Sequence, residues 1–216
     1  MNIGVLGTGM VGQSLATKLI ELGHTVTMGA RRPDNEVARG WADRASENAR
    51  HGTFEGAAVF GEVVVNCTAG AASVAALEAA GQENLNGKVL LDVANPLDFS
   101  GGRSPSLTVT NTDSLGEQIQ RRFPNARVVK ALNTVNHQVM VDPQRVPGDH
   151  DLFMCGNDEQ AKSEVRGLLE SFGWPSESIH DVGDITAARA TEGYLPLWVR
   201  LMGTLGGGDF NIRVVR

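Results

Sequence analysis

A glycine turn set between an apolar run and a helical repeat constrains this chain more than any other feature. Ile3-Gly4-Val5-Leu6 is short and apolar, Gly7-Thr8-Gly9-Met10-Val11-Gly12 follows at once, and Leu15, Leu19, Ile20 and Leu22 then recur at helical spacing. A G-x-G-x-x-G pattern alone is weak, but strand, turn and helix in that order is the setting in which it reads as a dinucleotide turn. Gly7 permits the tight turn, and Gly9 lets backbone N–H groups approach a diphosphate. Gly12 lets the helix lie close to the strand, its N-terminus facing the negative charge.

Gly23-His24 ends that helix, and Thr25-Val26-Thr27-Met28 reads as a second strand. An NAD site places an Asp or Glu near the end of this strand to accept hydrogen bonds from the ribose 2′-OH. No acid occurs between Glu21 and Asp34, and the strand runs instead into Gly29-Ala30-Arg31-Arg32-Pro33. A guanidinium there can form forked, charge-assisted bonds to a 2′-phosphate, so the corner formed by Ala30, Arg31 and Arg32 selects NADP(H) over NAD(H).

Further along, Asp34 to Arg50 suits an amphipathic helix, and Glu62 to Cys67 a buried strand followed by the small-residue loop Thr68-Ala69-Gly70-Ala71-Ala72. Ser73 to Ala80 reads as a helix with Ser73 as its N-cap, and Lys88 to Val93 as the next strand, stopped by Asn95-Pro96. The stretch 97–112 is too long and polar for a minimal connection, which marks it for the substrate side. A helix over Ser114 to Phe123, a strand over Ala126 to Leu132 and a strand over Asp151 to Cys155 follow. A helix to Phe172, an edge strand over Ile179 to Val182 and a final helix over Thr186 to Met202, interrupted at Gly193 and Pro196, complete the order. Alternation from end to end predicts an α/β chain of Rossmann type, a doubly wound parallel sheet with a small helical C-terminal appendage. The expected division is 1–184 for the NADP-binding Rossmann domain and 185–216 for a helical segment packing at the acceptor site, the two making one compact unit. Ligands in such sheets bind outside the C-terminal strand ends, which brings in Thr68 and Ala69.

Bulk properties remove other classes. The 25 acidic and 19 basic residues leave a net charge of −6 without long blocks of one sign, so neither nucleic acid nor a membrane surface is an expected partner. No apolar stretch approaches the roughly 20 residues that span a bilayer, and Met1 stands directly ahead of a strand without a leader, so a cytoplasmic protein is expected. Cys67 and Cys155 read as small core residues, and no metal-ligand spacing is present. The apolar segment Leu195 to Phe210 either packs under the acceptor site or forms a dimer contact, and the small size of the domain favours a homodimer.

Several motifs together resemble one family. Gly7 to Gly12, Gly29 to Pro33, Lys130-Ala131-Leu132-Asn133-Thr134, Cys155-Gly156-Asn157-Asp158, Asp181 to Asp184 and Ala187 to Glu192 look like the F420:NADP oxidoreductases, the NADPH-dependent reductases of coenzyme F420. The same domain is similar to the cytoplasmic reductase portion of the STEAP ferric reductases. The resemblance implies hydride transfer between the nicotinamide of NADP(H) and the deazaflavin of coenzyme F420. It places Thr8 to Val11 at the pyrophosphate, Ala30 to Arg32 at the 2′-phosphate, Thr68, Ala69 and Asn95 beside the nicotinamide, and Ala131 and Leu132 against its carboxamide. Archaeal members carry a histidine where this chain has Asn133, and Val135-Asn136-His137 replaces their Pro-containing segment, so the acceptor side departs from the family pattern.

Such a transfer asks little acid–base chemistry of the protein, in keeping with the lack of any Ser/His/Asp set or carboxylate pair. His137 is the one weak catalytic candidate, a proton donor near the acceptor or else a structural histidine at a helix start. Two alternatives stay open: reduction of a flavin, quinone, ferric chelate or small carbonyl or imine, and a non-catalytic NADP(H) sensor.

Overall fold

Central strands that are apolar on both faces require helices on both sides, and the chain supplies them in alternation. In the computed structural model, which describes residues 1–102 and 105–216, the order begins β1 (Asn2–Leu6), α1 (Met10–Glu21), β2 (Thr25–Ala30), α2 (Glu36–Ala45), β3 (Ala49–Thr53), α3 (Phe54–Phe60) and β4 (Val63–Asn66). It continues with α4 (Gly70–Ala80), α5 (Gln82–Leu85), β5 (Val89–Asp92), β6 (Leu97–Asp98), β7 (Ser106–Leu107), α6 (Leu115–Arg122), β8 (Arg127–Ala131) and α7 (His137–Val141). Last come β9 (Leu152–Gly156), α8 (Glu159–Ser171), β10 (Ile179–Asp181), α9 (Ala188–Gly193) and α10 (Leu195–Leu205).

The main sheet runs β10-β9-β8-β5-β4-β1-β2-β3. Its strand order reverses between β1 and β4, the switch point at which such sheets bind ligands. Alternate side chains feed two cores. Val5, Val65, Leu91 and Val129 join Leu15, Leu19, Trp41, Val165 and Leu169 on one face, while Leu6, Val64, Leu90 and Val128 join Ala57, Leu77, Leu115 and Ile119 on the other.

Two sequence expectations are corrected, and two others gain detail. The sheet is not wholly parallel: β9 pairs antiparallel with β8, and β10 runs parallel to β9. Between β8 and β9 stand the five-residue α7, about 7.5 Å of helix, and a 3-10 turn at Pro143–Arg145, and neither is long enough to return the chain along a strand of some 16 Å. The 13-residue α8 makes the full crossover from β9 to β10. Ser73 lies inside α4, whose N-cap is Ala69; its hydroxyl meets Thr68 Oγ1 at 2.9 Å, so the small residues before it are already helical. The stretch 97–112 holds the antiparallel pair β6–β7, Leu97 opposite Leu107; its residues 103–104 lie outside the described ones, and so does that part of its expected substrate role. The final helix is interrupted where expected: α9 and α10 meet at Tyr194, between Gly193 and Pro196.

A polar row crosses the sheet where the strands end. Asn66, Asp92 and Lys130 are the neighbours in register on β4, β5 and β8, and all three are fully buried. Asn66 Nδ2 donates to Asp92 Oδ1 at 2.8 Å, and Lys130 Nζ donates to Asp92 Oδ2 at 2.7 Å and to the Ala94 carbonyl at 2.5 Å. Lys130 also pairs with Glu192 of α9 at 2.7 Å, and the Glu192 carboxylate accepts from the backbone N–H groups of Leu115 and Gly116 at the start of α6. Burial pulls against the Lys130 ammonium, but Asp92 and Glu192 outweigh it and hold its pKa above the ordinary lysine value.

Removing the cation leaves two buried carboxylates facing each other. Lys130→Met is expected to destabilise the fold by about 3–5 kcal/mol in urea unfolding, and Glu192→Gln by less, because an amide oxygen can still cap α6. With a raised folded pKa, the lysine's contribution is complete below about pH 10.4 and is lost as pH climbs through the folded value. The stability of the unaltered protein should therefore fall at high pH in a way that Lys130→Met does not reproduce.

Candidate functional site

The strand ends facing the switch point are drawn together by close backbone contacts. Gly7 leaves β1 with φ +119°, a left-handed conformation open to glycine, and a Cβ there would stand 2.7 Å from the Cys67 carbonyl oxygen. Gly12 packs on the same turn, where a Cβ would meet the Gly7 carbonyl oxygen at 2.2 Å. Gly70, at the start of α4, lies against the Asn95 carbonyl, 2.1 Å from where its Cβ would be. Asn95 in turn donates from Nδ2 to the Asn133 carbonyl at 2.8 Å. Gly7, Thr68, Gly70, Asn95 and Asn133 thus form one continuous line over the ends of β1, β4, β5 and β8.

The first turn of α1 is open for an anion. The earliest main-chain bond of this helix runs from Gln13 N to the Gly9 carbonyl at 2.9 Å, so the N–H groups of Met10, Val11 and Gly12 precede it. Gly9 caps the helix without a side chain, no acid stands in the first turn, and a Cβ at Gly9 would meet nothing within 4 Å. Thr8 is half-buried, its carbonyl engaged by Gln13 Nε2 at 3.0 Å, and Met10 is 71% exposed. Free N–H donors, a positive dipole end and no side chain in front fit a diphosphate.

On the β2 side, Ala30 is buried at the strand end, and Arg31 and Arg32 are exposed beyond it. Arg32 reaches Asp34 at 3.6 Å, a surface contact of little energy that leaves its guanidinium available. From β2 to β8 the line covers four strand spacings of about 4.8 Å, or roughly 19 Å, an extent suited to an extended dinucleotide.

On the other side, Thr68 Oγ1 donates to Asn66 Oδ1 at 2.7 Å, which ties the loop after β4 to the buried row, and Ala69 is exposed. Ala131 and Leu132 are fully buried, and Leu132 takes φ +64°, a left-handed conformation rare for a side chain of its size. Strain of this kind collects at functional sites. His137 lies apart from the strand-end line, at the start of α7, its Nδ1 2.8 Å from Ser14 Oγ of α1. Burial lowers its pKa, Arg145 lowers it further and Asp209 opposes.

Burial, with Asp92 adding to it, pushes the Cys67 thiol far up, and burial raises Cys155 to about 12; both are free and unreactive. Among the described residues no cluster of His, Cys, Asp and Glu can hold a metal ion. The residues that sequence reasoning passed over are those of the buried row. Their one signal is a polar or charged residue at or next to the strand end, directly after two or more apolar positions, as at Asn66, Asp92 and Lys130.

Residues 2–96 match the family described as NADP oxidoreductase, coenzyme F420-dependent. A crystal structure from Arthrobacter sp. FB24, provisionally described as an F420-dependent NADP-reductase, is 51% identical, covers 100% of both chains and superposes with a TM-score of 0.95. The F420-dependent NADP reductase of Methanocaldococcus jannaschii is 29% identical over 212 residues, 93% of this chain and 92% of that protein. The metalloreductase STEAP3 of Rattus norvegicus is 26% identical over 200 residues, which span 91% of this chain and 37% of that longer protein.

Glycines of the turn differ in what a methyl group would do. Gly9→Ala is expected to fold with an unfolding free energy within about 1 kcal/mol of the parent, since its Cβ points into open space, yet to bind NADP(H) at least tenfold more weakly. Gly12→Ala should lower the melting temperature first, because its Cβ collides with the Gly7 carbonyl. Equal stability losses at the two positions would contradict this division.

Proposed function

The chain belongs to the family of coenzyme F420-dependent NADP oxidoreductases, and from that premise we propose that it passes a hydride between NADP(H) and the deazaflavin of coenzyme F420. The observation that carries the reading is the line of strand ends with an open helix N-terminus at its centre, an arginine corner at one end and the Asn95–Asn133 contact at the other. When bound, the nicotinamide and deazaflavin rings supply the hydride donor and acceptor.

The protein's residues bind and orient. The backbone of Thr8 to Val11, between Gly7 and Gly12, holds the diphosphate, while Arg31 and Arg32 beside Ala30 take the 2′-phosphate. Thr68, Ala69 and Asn95 flank the nicotinamide, above a floor shaped by Ala131 and Leu132. Holding two rings in reactive contact removes the entropy of bringing them together, which is the main contribution such a site makes. Residues 185–216 are the segment on the acceptor side of the Rossmann domain, 1–184. The same reading makes the protein a cytoplasmic homodimer. Helix α10 leaves Leu197 55% and Leu205 62% exposed, an apolar face that a second copy can cover, and unpaired cysteines suit a reducing compartment.

Mixing the protein with NADPH and F420 should bleach the visible absorbance of the deazaflavin, while FMN, a quinone and ferric citrate are reduced slowly or not at all. Turnover of FMN or ferric citrate with none of F420 would rule the proposal out. Replacing Arg31 and Arg32 together by alanine should raise the NADPH dissociation constant at least tenfold and leave that of NADH unchanged. A parent protein that prefers NADH would remove the role given to the arginine corner.

A further inference from the structure

Asn95 and Asn133 lock each other's side chains in a single orientation. Asn95 Nδ2 donates to the Asn133 carbonyl at 2.8 Å, which makes its other terminus Oδ1, and that oxygen accepts from Asn133 Nδ2 at 3.0 Å. Turning the Asn133 amide over would set two oxygens face to face. Turning Asn95 over would set its oxygen against a carbonyl, so the assignment follows from the bonds themselves.

The lock leaves one atom over. Asn133 is 2% exposed, and among the described residues its Oδ1 has no hydrogen-bond partner; the same is true of Thr134 Oγ1, the next side chain along. A buried amide oxygen is costly to leave without a donor, and native structures rarely do so unless an ordered water or a ligand completes the set. The backbone agrees, since Leu132, just ahead of Asn133, is held at φ +64° where β8 ends.

Position in the fold names the donor. This step rests on the NADP(H) reading given above. A dinucleotide with its 2′-phosphate at Arg31 and Arg32 past β2, and its diphosphate at the turn after β1, carries its nicotinamide over β4, β5 and β8. The ring bears one group able to donate, the NH2 of its carboxamide. A hydride acceptor stacked on the ring lies farther from the sheet, and farther from a residue as deep as Asn133. We propose that Asn133 Oδ1 accepts a hydrogen bond from the carboxamide NH2 of the nicotinamide, held for that purpose by Asn95, and so fixes the rotation of the ring and the face it offers to the acceptor.

The test compares nucleotides that differ at this one group. Calorimetric titrations use NADP+, 3-acetylpyridine adenine dinucleotide phosphate, in which a methyl group replaces the NH2, and 2′,5′-ADP, which has no nicotinamide. The unaltered protein is expected to bind NADP+ about tenfold more tightly than the acetylpyridine analogue. Asn133→Leu and Asn133→Ala should lose that preference while binding 2′,5′-ADP as the parent does, which also shows that they fold. Equal affinity of the unaltered protein for NADP+ and the analogue overturns the proposal without reference to any variant, as does a preference that survives in either variant. If the unaltered protein does not bind 2′,5′-ADP, the NADP(H) reading itself has failed and the proposal falls with it.

Discussion

A lysine buried between two carboxylates holds the floor of the site. Lys130 is fully buried, and so large a desolvation is tolerable only if every donor and acceptor around it is satisfied. Here they are: Asp92 and Glu192 flank the ammonium, Asn66 and the Ala94 N–H complete Asp92, and the N-terminus of α6 completes Glu192. The residual negative charge of the triad meets the positive end of that helix. Apolar residues of equal volume could fill the space, but they would not tie four separate elements to one point. The ends of β5 and β8, the start of α6 and the middle of α9 are positioned together or not at all.

Everything above that floor inherits its placement. Thr68 hangs from Asn66, and Asn66 from Asp92, so the loop after β4 is set by the same row that sets Lys130. Gly70 then brings α4 against the Asn95 backbone, and Asn95 holds Asn133. The upper surface is thus backbone and short polar side chains, bonded in sequence from one strand end to the next. Arg189 extends the arrangement outward: it pairs with Glu117 at 2.5 Å, and Glu117 accepts a 2.7 Å bond from the hydroxyl of Ser114, the N-cap of α6. The motif around Ala187 to Glu192 is thus tied to α6 and to Lys130.

Local patterns and lateral ones differ in how far a sequence discloses them. Ile3 to Gly12, the strands at Val63 to Asn66 and Val89 to Asp92, and the arginines after Ala30 were legible because each signal lies within a few residues of chain. The reversal of β9 was not, because apolar alternation is the same in either direction; the clue lay in the short, Pro- and Gly-broken stretch Val135 to Asp151, which cannot carry a crossover helix. Lys130 was visible within a motif, but its meaning depends on Asp92, in register on the neighbouring strand, and on Glu192 of α9, which arrive from 38 and 62 residues away (130 − 92 and 192 − 130). The lock between Asn95 and Asn133 is of the same kind, since its free oxygen is defined by what its other atoms already hold.

The same commitments limit the chemistry that the site can perform. Asp92, Lys130 and Glu192 are already committed to one another in a buried cluster, burial with Asp92 raises the Cys67 thiol far above its ordinary value, and His137 is engaged with Ser14 Oγ, its pKa lowered by burial. Reducing a carbonyl or imine requires a proton delivered to the heteroatom as the hydride arrives at carbon, and so a positioned acid within reach. Hydride exchange between two stacked heterocycles requires alignment above all, and alignment is what this arrangement of strained, interlocked strand ends provides. In these terms the deazaflavin reading and the buried row are linked: a floor that has used up its charges in holding itself together is suited to orienting cofactors that carry the reaction themselves.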